Sequence, residues 1–259
     1  DYDLYVRYTA ERKDRNERKK LLANATRNWS DNSSFVIVKE PRAGSCMASL
    51  AGHGRAKRST CYDLLPNNAK GPVMVVLPAG KFKKPFAIGK FELMADHFNR
   101  FCKSTNTCKP GPARSRKLPV TGVSLAQAKA YAQWISKLTT ATQGSPVLYR
   151  LPTTEEWAYA AAADGEQPEQ KSFNCRVSSG GNIIKGHALL SANTGKENGW
   201  GLVNHIGNAR ELATSGATAL ALGGAFEDAL TNCGVDTKQP HSGTPDALTG
   251  FRLVREISG

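Results

Sequence analysis

Six cysteines, all in loop-like sequence, constrain the fold of this 259-residue chain more than any other residue type. Two lie in one Gly/Ser/Arg-rich stretch, two flank a short polar stretch, and two stand alone in turn-rich sequence: Cys46, Cys61, Cys102, Cys108, Cys175 and Cys233. An even number of cysteines in such sequence predicts disulfides and therefore an oxidising compartment, although six cysteines allow many pairings. Zinc ligation is the weaker alternative, because the chain has no CxxC and its histidines are not closely spaced.

The composition indicates a globular chain. Hydrophobic residues make up 40% of the sequence, which is enough to bury a sizeable core. No apolar run approaches the roughly 18 residues that a membrane-spanning helix needs, so a membrane contact is expected only through a segment outside this chain. The sequence begins Asp1-Tyr-Asp-Leu, which is neither an initiator methionine nor a signal peptide, and we therefore expect it to be part of a longer protein.

The order of patterns along the chain predicts an α+β fold in three segments. Residues 1–40 read as a charged helical or juxtamembrane linker, residues 41–70 as a disulfide-closed loop region, and residues 71–259 as the compact domain. The domain begins with two apolar strand-like runs, PVMVVLPAG and FAIGKFEL. After residue 165, glycine, asparagine and serine are frequent, so short strands and long loops are expected.

Two capping boxes predict where helices begin. Ser124 stands three residues before Gln127, and Thr153 stands three residues before Glu156. In each pair the two side chains satisfy the backbone N–H groups at a helix start. A helix is therefore expected after Ser124 and another after Thr153.

The net charge of +13 is concentrated in one part of the sequence. Residues 71–150 hold 13 basic side chains against two acidic ones, whereas residues 151–259 hold eight against twelve. Excess basic charge suits an anion, lipid-headgroup or nucleic-acid surface, but a solvated surface is the simpler interpretation, and few aromatic residues accompany the basic ones. Four lysines alternate with apolar residues as at the edge of a sheet: Lys81, Lys83, Lys84 and Lys90. No nucleic-acid partner is predicted.

Seven stretches of sequence carry a resemblance to a known family. They are VMVVLPAGKF, FAIGKFELMADHFNRFC, LPVTGVSLAQAKAYAQWIS, YRLPTTEEWAYAAAADG, NGWGLVNHIGNAREL, GGAF and GFRLV. Their order and spacing resemble the formylglycine-generating enzyme family, also called sulfatase-modifying factor domains, over about residues 71–259. The resemblance implies an irregular α+β fold, related to C-type lectins, with little regular secondary structure.

The resemblance also implies where an oxidase of this family holds copper. Such enzymes use two cysteines, five residues apart, just after a GGS motif, and here Asp228 and Cys233 stand at those positions. A carboxylate cannot replace a thiolate for the soft ion Cu(I), and Cys175 is expected to engage Cys233 in a disulfide. Copper chemistry is therefore not expected. The predicted pairing is Cys46–Cys61, Cys102–Cys108 and Cys175–Cys233.

Calcium is a cofactor that the same resemblance implies. The GN-x-x-E segment offers Asn208 and Glu211, and Asn193 stands where an earlier calcium loop begins. Calcium takes six or more oxygen ligands, and only two of them can be identified from the sequence. In the alternative, Asn208 fills a turn and Glu211 pairs with an arginine such as Arg252. Both interpretations stay open at this point.

These observations predict a non-catalytic, extracytoplasmic recognition domain. By resemblance, such domains occur as periplasmic C-terminal parts of bacterial membrane serine/threonine kinases, where this one would sense an unknown protein or small ligand. The candidate contacts are His241, Phe226 and Asp228, at the surface where this fold usually places its binding groove. There are two alternatives: a copper-dependent formylglycine-generating oxidase acting through Cys233, and a lectin-like or diversified display domain.

Overall fold

The computed structural model of the protein describes residues 45–52, 60–165 and 169–257. The linker predicted for residues 1–40 lies outside the described residues. The described part is an α+β fold in which irregular stretches connect short strands, as the sequence predicts. Its strands are β1 (Thr60–Cys61), β2 (Leu64–Leu65), β3 (Ala69–Lys70), β4 (Met74–Leu77), β5 (Phe86–Gly89), β6 (Tyr149–Arg150), β7 (Val177–Ser179), β8 (Asn182–Lys185), β9 (Arg210–Ser215), β10 (Thr218–Leu222), β11 (Lys238–His241), β12 (Thr249–Gly250) and β13 (Val254–Glu256).

The larger sheet has the strand order β1-β4-β5-β13-β6, and every neighbouring pair in it is antiparallel. Strands β4 and β5 are buried along their whole length, as their continuous apolar sequence predicts. Strand β13 lies between β5 and β6, so the C-terminal end of the described chain completes the sheet.

Three α-helices of the described part pack around this sheet: α1 (Ala95–Thr105), α2 (Leu125–Gln143) and α3 (Thr154–Ala162). Both predicted capping boxes are confirmed, at Ser124 and at Thr153. Helix α1 contacts α2 through aromatic rings, with Phe98 stacked on Tyr131 at a centroid distance of 5.8 Å. Such ring pairs add to the apolar burial that holds the two helices together.

Two of the predicted site residues, His241 and Glu211, lie in strands of the smaller sheet. Its strand order is β11-β10-β9-β12, with β12 parallel to β9 and the other pairs antiparallel. Strand β11 forms one edge and is largely exposed. Arg210 begins β9, whose next residue Glu211 pairs with Leu222, whereas His241 ends β11 opposite Ala219, so the two residues lie toward opposite ends of the sheet.

Residues 60–70 contact the main body of the fold. Strand β1 pairs with β4, and the carboxylate of Asp63 is fully buried. That carboxylate accepts a hydrogen bond from the Tyr149 hydroxyl at 2.5 Å and one from Arg255 Nε at 2.7 Å. The segment that precedes residue 71 is therefore anchored by an ion pair as well as by a strand.

The interpretation of four lysines as a sheet edge is wrong. Lys90 is 4% exposed, and its ammonium lies 2.6 Å from a Glu197 carboxylate oxygen. Lys81, Lys83 and Lys84 are exposed, but they lie in the irregular connection between β4 and β5. Alternation with apolar residues does not require a strand when the chain turns, which is why the pattern misled.

The disulfide predictions are confirmed in full. Cys46 is bonded to Cys61, Cys102 to Cys108, and Cys175 to Cys233, so none of the six cysteines is free. Because such bonds persist in oxidising compartments, the three disulfides indicate an extracytoplasmic domain. Within the described ranges, no helix combines the length and the apolar character that crossing a membrane requires.

Candidate functional site

The two positions predicted for a copper-binding thiol pair are both engaged in other bonds. Cys233 is bonded to Cys175. The Asp228 carboxylate accepts two hydrogen bonds from Arg210, at 2.9 Å from Nε and 2.5 Å from Nη2, and a third from the Ala225 backbone N–H at 2.8 Å. A carboxylate held by a guanidinium and a sulfur in a disulfide do not form the thiolate pair that Cu(I) prefers. The residues present therefore do not fit copper.

Arg210 is the centre of a polar cluster at the end of the smaller sheet. Its guanidinium also contacts Asp246 at 3.4 Å, and its side chain is 15% exposed. Asp246 in turn accepts from the Thr249 hydroxyl and from the Leu248 backbone N–H. The hydrogen bonds that Arg210 donates to Asp228 are the largest cause of the raised pKa of Arg210, so the guanidinium keeps its charge at any ordinary pH.

His241 and Phe226, the other predicted contacts, take no part in the hydrogen bonds of this cluster, although His241 lies near Asp246. His241 Nδ1 accepts a hydrogen bond from the Gly243 backbone N–H at 3.0 Å, which fixes the ring at the end of β11. Phe226 is half-buried, and its backbone N–H donates to the Asn208 carbonyl at 2.9 Å. Phe226 is also the only aromatic residue in the stretch 226–248.

An apolar hairpin next to this cluster escaped the sequence analysis. Strands β7 and β8 pair around two glycines, and they leave Ile183 42% and Ile184 61% exposed. The hairpin is attached to the predicted site because the Arg176 backbone N–H donates to the Asp228 carbonyl at 2.8 Å. The Gly-Gly pair between two short polar-apolar runs is a hairpin signal that the sequence does contain. We call Phe226, Asp228, His241 and this hairpin the recognition face.

The predicted calcium ligands lie in a buried ion-pair network. Arg252 donates to both carboxylate oxygens of Glu211 at 2.5 Å, and the indole N–H of Trp157 donates to one of them at 2.7 Å. Both charged side chains are almost fully buried, at 0% exposure for Arg252 and 2% for Glu211. The remaining guanidinium N–H groups donate to backbone carbonyls, among them that of Gly89 at 2.8 Å.

Glu92 is a second buried carboxylate of this network, and sequence reasoning missed it. It accepts hydrogen bonds from the Asn208 side-chain amide at 2.8 Å and from the Ala209 backbone N–H at 3.0 Å. Burial, and next the nearby charge of Glu211, raise the pKa of Glu92 well above its ordinary value, although Arg252 opposes this shift. No local signal identifies Glu92, because its partners lie more than a hundred residues away in sequence.

The arrangement of Asn208 and Glu211 does not fit calcium. The side-chain oxygen of Asn208 already accepts from the Leu190 N–H at 2.8 Å and from the Asn174 amide at 2.9 Å. Asn208 has a left-handed backbone with φ of 65°, as expected of an asparagine in a turn. Among the described residues, no group of three or more His, Cys, Asp or Glu side chains is placed to hold a metal ion. Calcium binding stays a prediction, and the geometry corresponds to the ion-pair alternative.

Asn193, the third predicted calcium ligand, lies in a different place. It lines a cleft of about 900 Å³ formed by residues around β3, the first turns of α1 and the loop before α2. None of the residues of the recognition face lines this cleft. Asn193 therefore lines this cleft, whereas Asn208 and Glu211 do not.

Comparison with known proteins agrees with this fold. Residues 62–257 match the family described as the sulfatase-modifying factor enzyme 1-like domain, and the chain therefore belongs to that family. No curated protein matches the chain. It is similar to the solved structures of PvdO from Pseudomonas aeruginosa (19% identity, 77% of this chain, 92% of that one, TM-score 0.56), of Treponema denticola variable protein 1 (18%, 81%, 92%, 0.53) and of CarF (21%, 68%, 88%, 0.50). At these identities the likeness establishes the fold alone.

Proposed function

We propose that this member of the sulfatase-modifying factor enzyme 1-like family is an extracytoplasmic recognition domain that performs no copper-dependent oxidation. The observation that carries the proposal is the state of the two positions where an oxidase needs thiolates. Cys233 is closed in a disulfide, and Asp228 is held by Arg210. A thiolate is the nucleophile and the metal ligand in such chemistry, whereas a disulfide sulfur is neither.

The recognition face has the composition of a protein-binding surface. Ile184 offers exposed apolar area, and Phe226 lies half-buried beside a charged cluster centred on Arg210. Apolar contacts ringed by polar groups are typical of interaction sites. A lectin-like or display function is the second candidate, and the lack of a second aromatic residue between positions 226 and 248 disfavours it, since large binding energies usually rest on such anchors.

The finer part of the proposal is that the domain regulates a membrane serine/threonine kinase in a longer protein. It is supported by the resemblance of the chain to periplasmic sensor domains of that kind and by its disulfides. In that longer protein, Ile184→Asp in the recognition face should change the level of kinase autophosphorylation. Leu148→Asp is the matched control, because Leu148 is 48% exposed and lies outside the face. Equal levels in wild type and both variants would contradict the sensor role.

The absence of oxidation is tested by incubating the purified chain with Cu(I), oxygen and a cysteine-containing peptide. We expect the peptide mass to stay unchanged. A double variant, Asp228→Cys with Cys175→Ser, is the control, because it supplies two free thiols at the expected spacing and should bind Cu(I) more tightly than wild type. Conversion of the peptide cysteine to formylglycine by the wild-type chain would overturn the proposal.

A further inference from the structure

The cleft lined by Asn193 has a strongly basic wall. Four cationic side chains line it: Lys70, Arg100, Arg116 and Lys117. Asp96 is the one carboxylate among the residues that line it, which leaves a net charge of +3 when four positive charges are set against one negative charge. His97 adds no charge near neutral pH, because burial and the nearby Arg100 lower its pKa to about 4. The positive charge is therefore an excess that no described residue of the wall balances.

Asp96 orients two of these cations but occupies only some of their N–H donors. Its carboxylate oxygens accept from Arg100 Nη2 and from Arg116 Nε, each at 2.9 Å. A guanidinium has five N–H donors, so each arginine keeps further donors available. The side chains of Arg100 and Arg116 are 44% and 61% exposed, so those donors are accessible to a ligand.

Within the described residues, neither lysine forms an ion pair with an acidic side chain. The Lys70 ammonium lies over the Tyr62 ring, 5.0 Å from its centroid, and Lys117 forms no ion pair with any residue in the described ranges. Lys117 is exposed. An ammonium without an acidic partner at the rim of a concave site is free to bind an anion.

Backbone hydrogen bonds connect the segments that form the walls of the cleft. The Asp96 N–H donates to the Arg116 carbonyl at 3.0 Å, which ties the start of α1 to the following loop. The Ala192 N–H donates to the Lys117 carbonyl at 2.9 Å, which ties the same loop to the segment that carries Asn193. Because three separate segments are joined in this way, the cations are arranged before any ligand arrives, and less entropy is lost on binding.

We propose that this cleft binds a small molecule that carries two phosphoryl groups, such as a diphosphate ester. A phosphate monoester carries about −1.5 to −2 charges near neutral pH, so two such groups, at about −3 to −4, balance the wall's net charge whereas one does not. Arginines bind phosphate through paired N–H donors, and lysines contribute point charges. A volume of about 900 Å³ leaves room for an organic group beside the phosphates. This inference does not depend on the recognition face.

The experiment is calorimetric titration of the purified chain with inorganic pyrophosphate, and flotation of the chain with phosphatidylcholine vesicles with and without phosphatidylglycerol. Lys117→Ala removes a cation of the cleft, and Lys83→Ala removes an exposed lysine outside it. Because a charge-assisted hydrogen bond corresponds to about a tenfold change in affinity, Lys117→Ala should weaken pyrophosphate binding about tenfold and Lys83→Ala should leave it nearly unchanged. Both variants should melt as wild type does, since both lysines are exposed.

Each result of these titrations decides the proposal. Pyrophosphate binding that Lys117→Ala weakens selectively supports a soluble phosphorylated ligand. Vesicle binding that requires phosphatidylglycerol, with no binding of pyrophosphate, overturns the proposal, because that lipid headgroup carries a single phosphodiester. Absence of binding to both probes, or equal loss in the two lysine variants, overturns the proposal.

Discussion

Two regions of this protein place carboxylates beside arginines, and they differ in burial. In the core, Glu211 and Arg252 are almost fully buried, and every oxygen of the carboxylate has a donor. In the cleft, Asp96 holds Arg100 and Arg116, but the three side chains are 26%, 44% and 61% exposed. The same kind of ion pair is therefore buried and fully hydrogen-bonded in the core, but solvent-exposed with unused N–H donors in the cleft.

The difference shows that pairing and burial together decide what a charged residue does. A buried pair is costly to break, because the remaining charge has no water to solvate it. An exposed pair contributes little to stability, but its unused donors remain available for a ligand. The core network is therefore expected to contribute mainly to the free energy of unfolding, and the cleft mainly to ligand binding.

The largest expected effect comes from breaking the core pair. Arg252→Met leaves Glu211 buried without its cation, and we expect the free energy of unfolding to fall by about 3–5 kcal/mol. Arg100→Met, which breaks the corresponding pair in the cleft, should cost about 1 kcal/mol or less. Urea denaturation measures both values. Equal losses in the two variants would show that burial does not separate the two regions.

Two of the disulfides allow a second comparison, between a long closed loop and a short one. Cys175–Cys233 closes the longest loop, of 58 residues, and replacing both cysteines with serine should cost about 4 kcal/mol in the loop-entropy account. Cys102–Cys108 closes a loop of six residues at the end of the helix that carries Asp96, and the same replacement there should cost about 2 kcal/mol. The reverse order in urea denaturation would indicate that native-state contacts, rather than loop closure, dominate.

Local signals predicted the elements that local contacts build. The capping boxes at Ser124 and Thr153 need only residues three positions apart, and both formed as the sequence indicates. The cysteine pairs could also be predicted, two of them because their cysteines lie close together in sequence. At such positions the backbone geometry and the short loops allow few other hydrogen-bonding or disulfide partners.

Residues whose partners lie far away in sequence could not be assigned in the same way. In sequence Lys90 resembles a surface lysine, but in the structure it is buried and pairs with Glu197, which lies 107 positions later. Glu211 has the spacing of a calcium ligand, yet Arg252, 41 positions later, takes both of its oxygens. In each case the sequence shows that the side chain is charged, but only the fold shows which residue it contacts. That contact decides whether the side chain forms an ion pair or remains available to bind a ligand.

Acid sensitivity should distinguish a core histidine from the exposed charges. Burial, and then the charge of Arg252, lower the pKa of His205 to about 3, and its ring nitrogens have no hydrogen-bonding partner among the described residues. The unfolded chain binds a proton at this histidine near its ordinary pKa of 6.5, whereas the folded chain does not until about pH 3. Stability from neutral His205 is thus complete above the unfolded pKa and is lost as the pH falls between these values.

The slope of this loss is about 1.4 kcal/mol per pH unit for one proton. His205→Phe removes the titrating group and fills a similar volume, so its free energy of unfolding should fall less steeply than that of wild type between pH 6 and about 4. Subtracting the two curves cancels the opposing contribution of Glu92, whose raised pKa favours the folded state at low pH. Parallel curves would show that His205 is protonated at the same pH in both states.

The smallest expected effect concerns calcium. Because Glu211 and Asn208 are engaged by other groups, adding calcium or a chelator should leave the melting temperature unchanged. Differential scanning calorimetry in calcium and in a chelator tests this directly. A rise in melting temperature with calcium would show that a cation site forms elsewhere or that the core network rearranges to accept one.

Cysteine alkylation under native conditions, followed by intact-mass measurement, tests the central claim most directly: that Cys233 is closed and the chain recognises rather than oxidises. We predict no added mass before reduction and alkylation of all six cysteines after it. Alkylation of Cys233 in the native, unreduced chain would contradict the account, because a free thiol there restores one half of the pair that an oxidase requires.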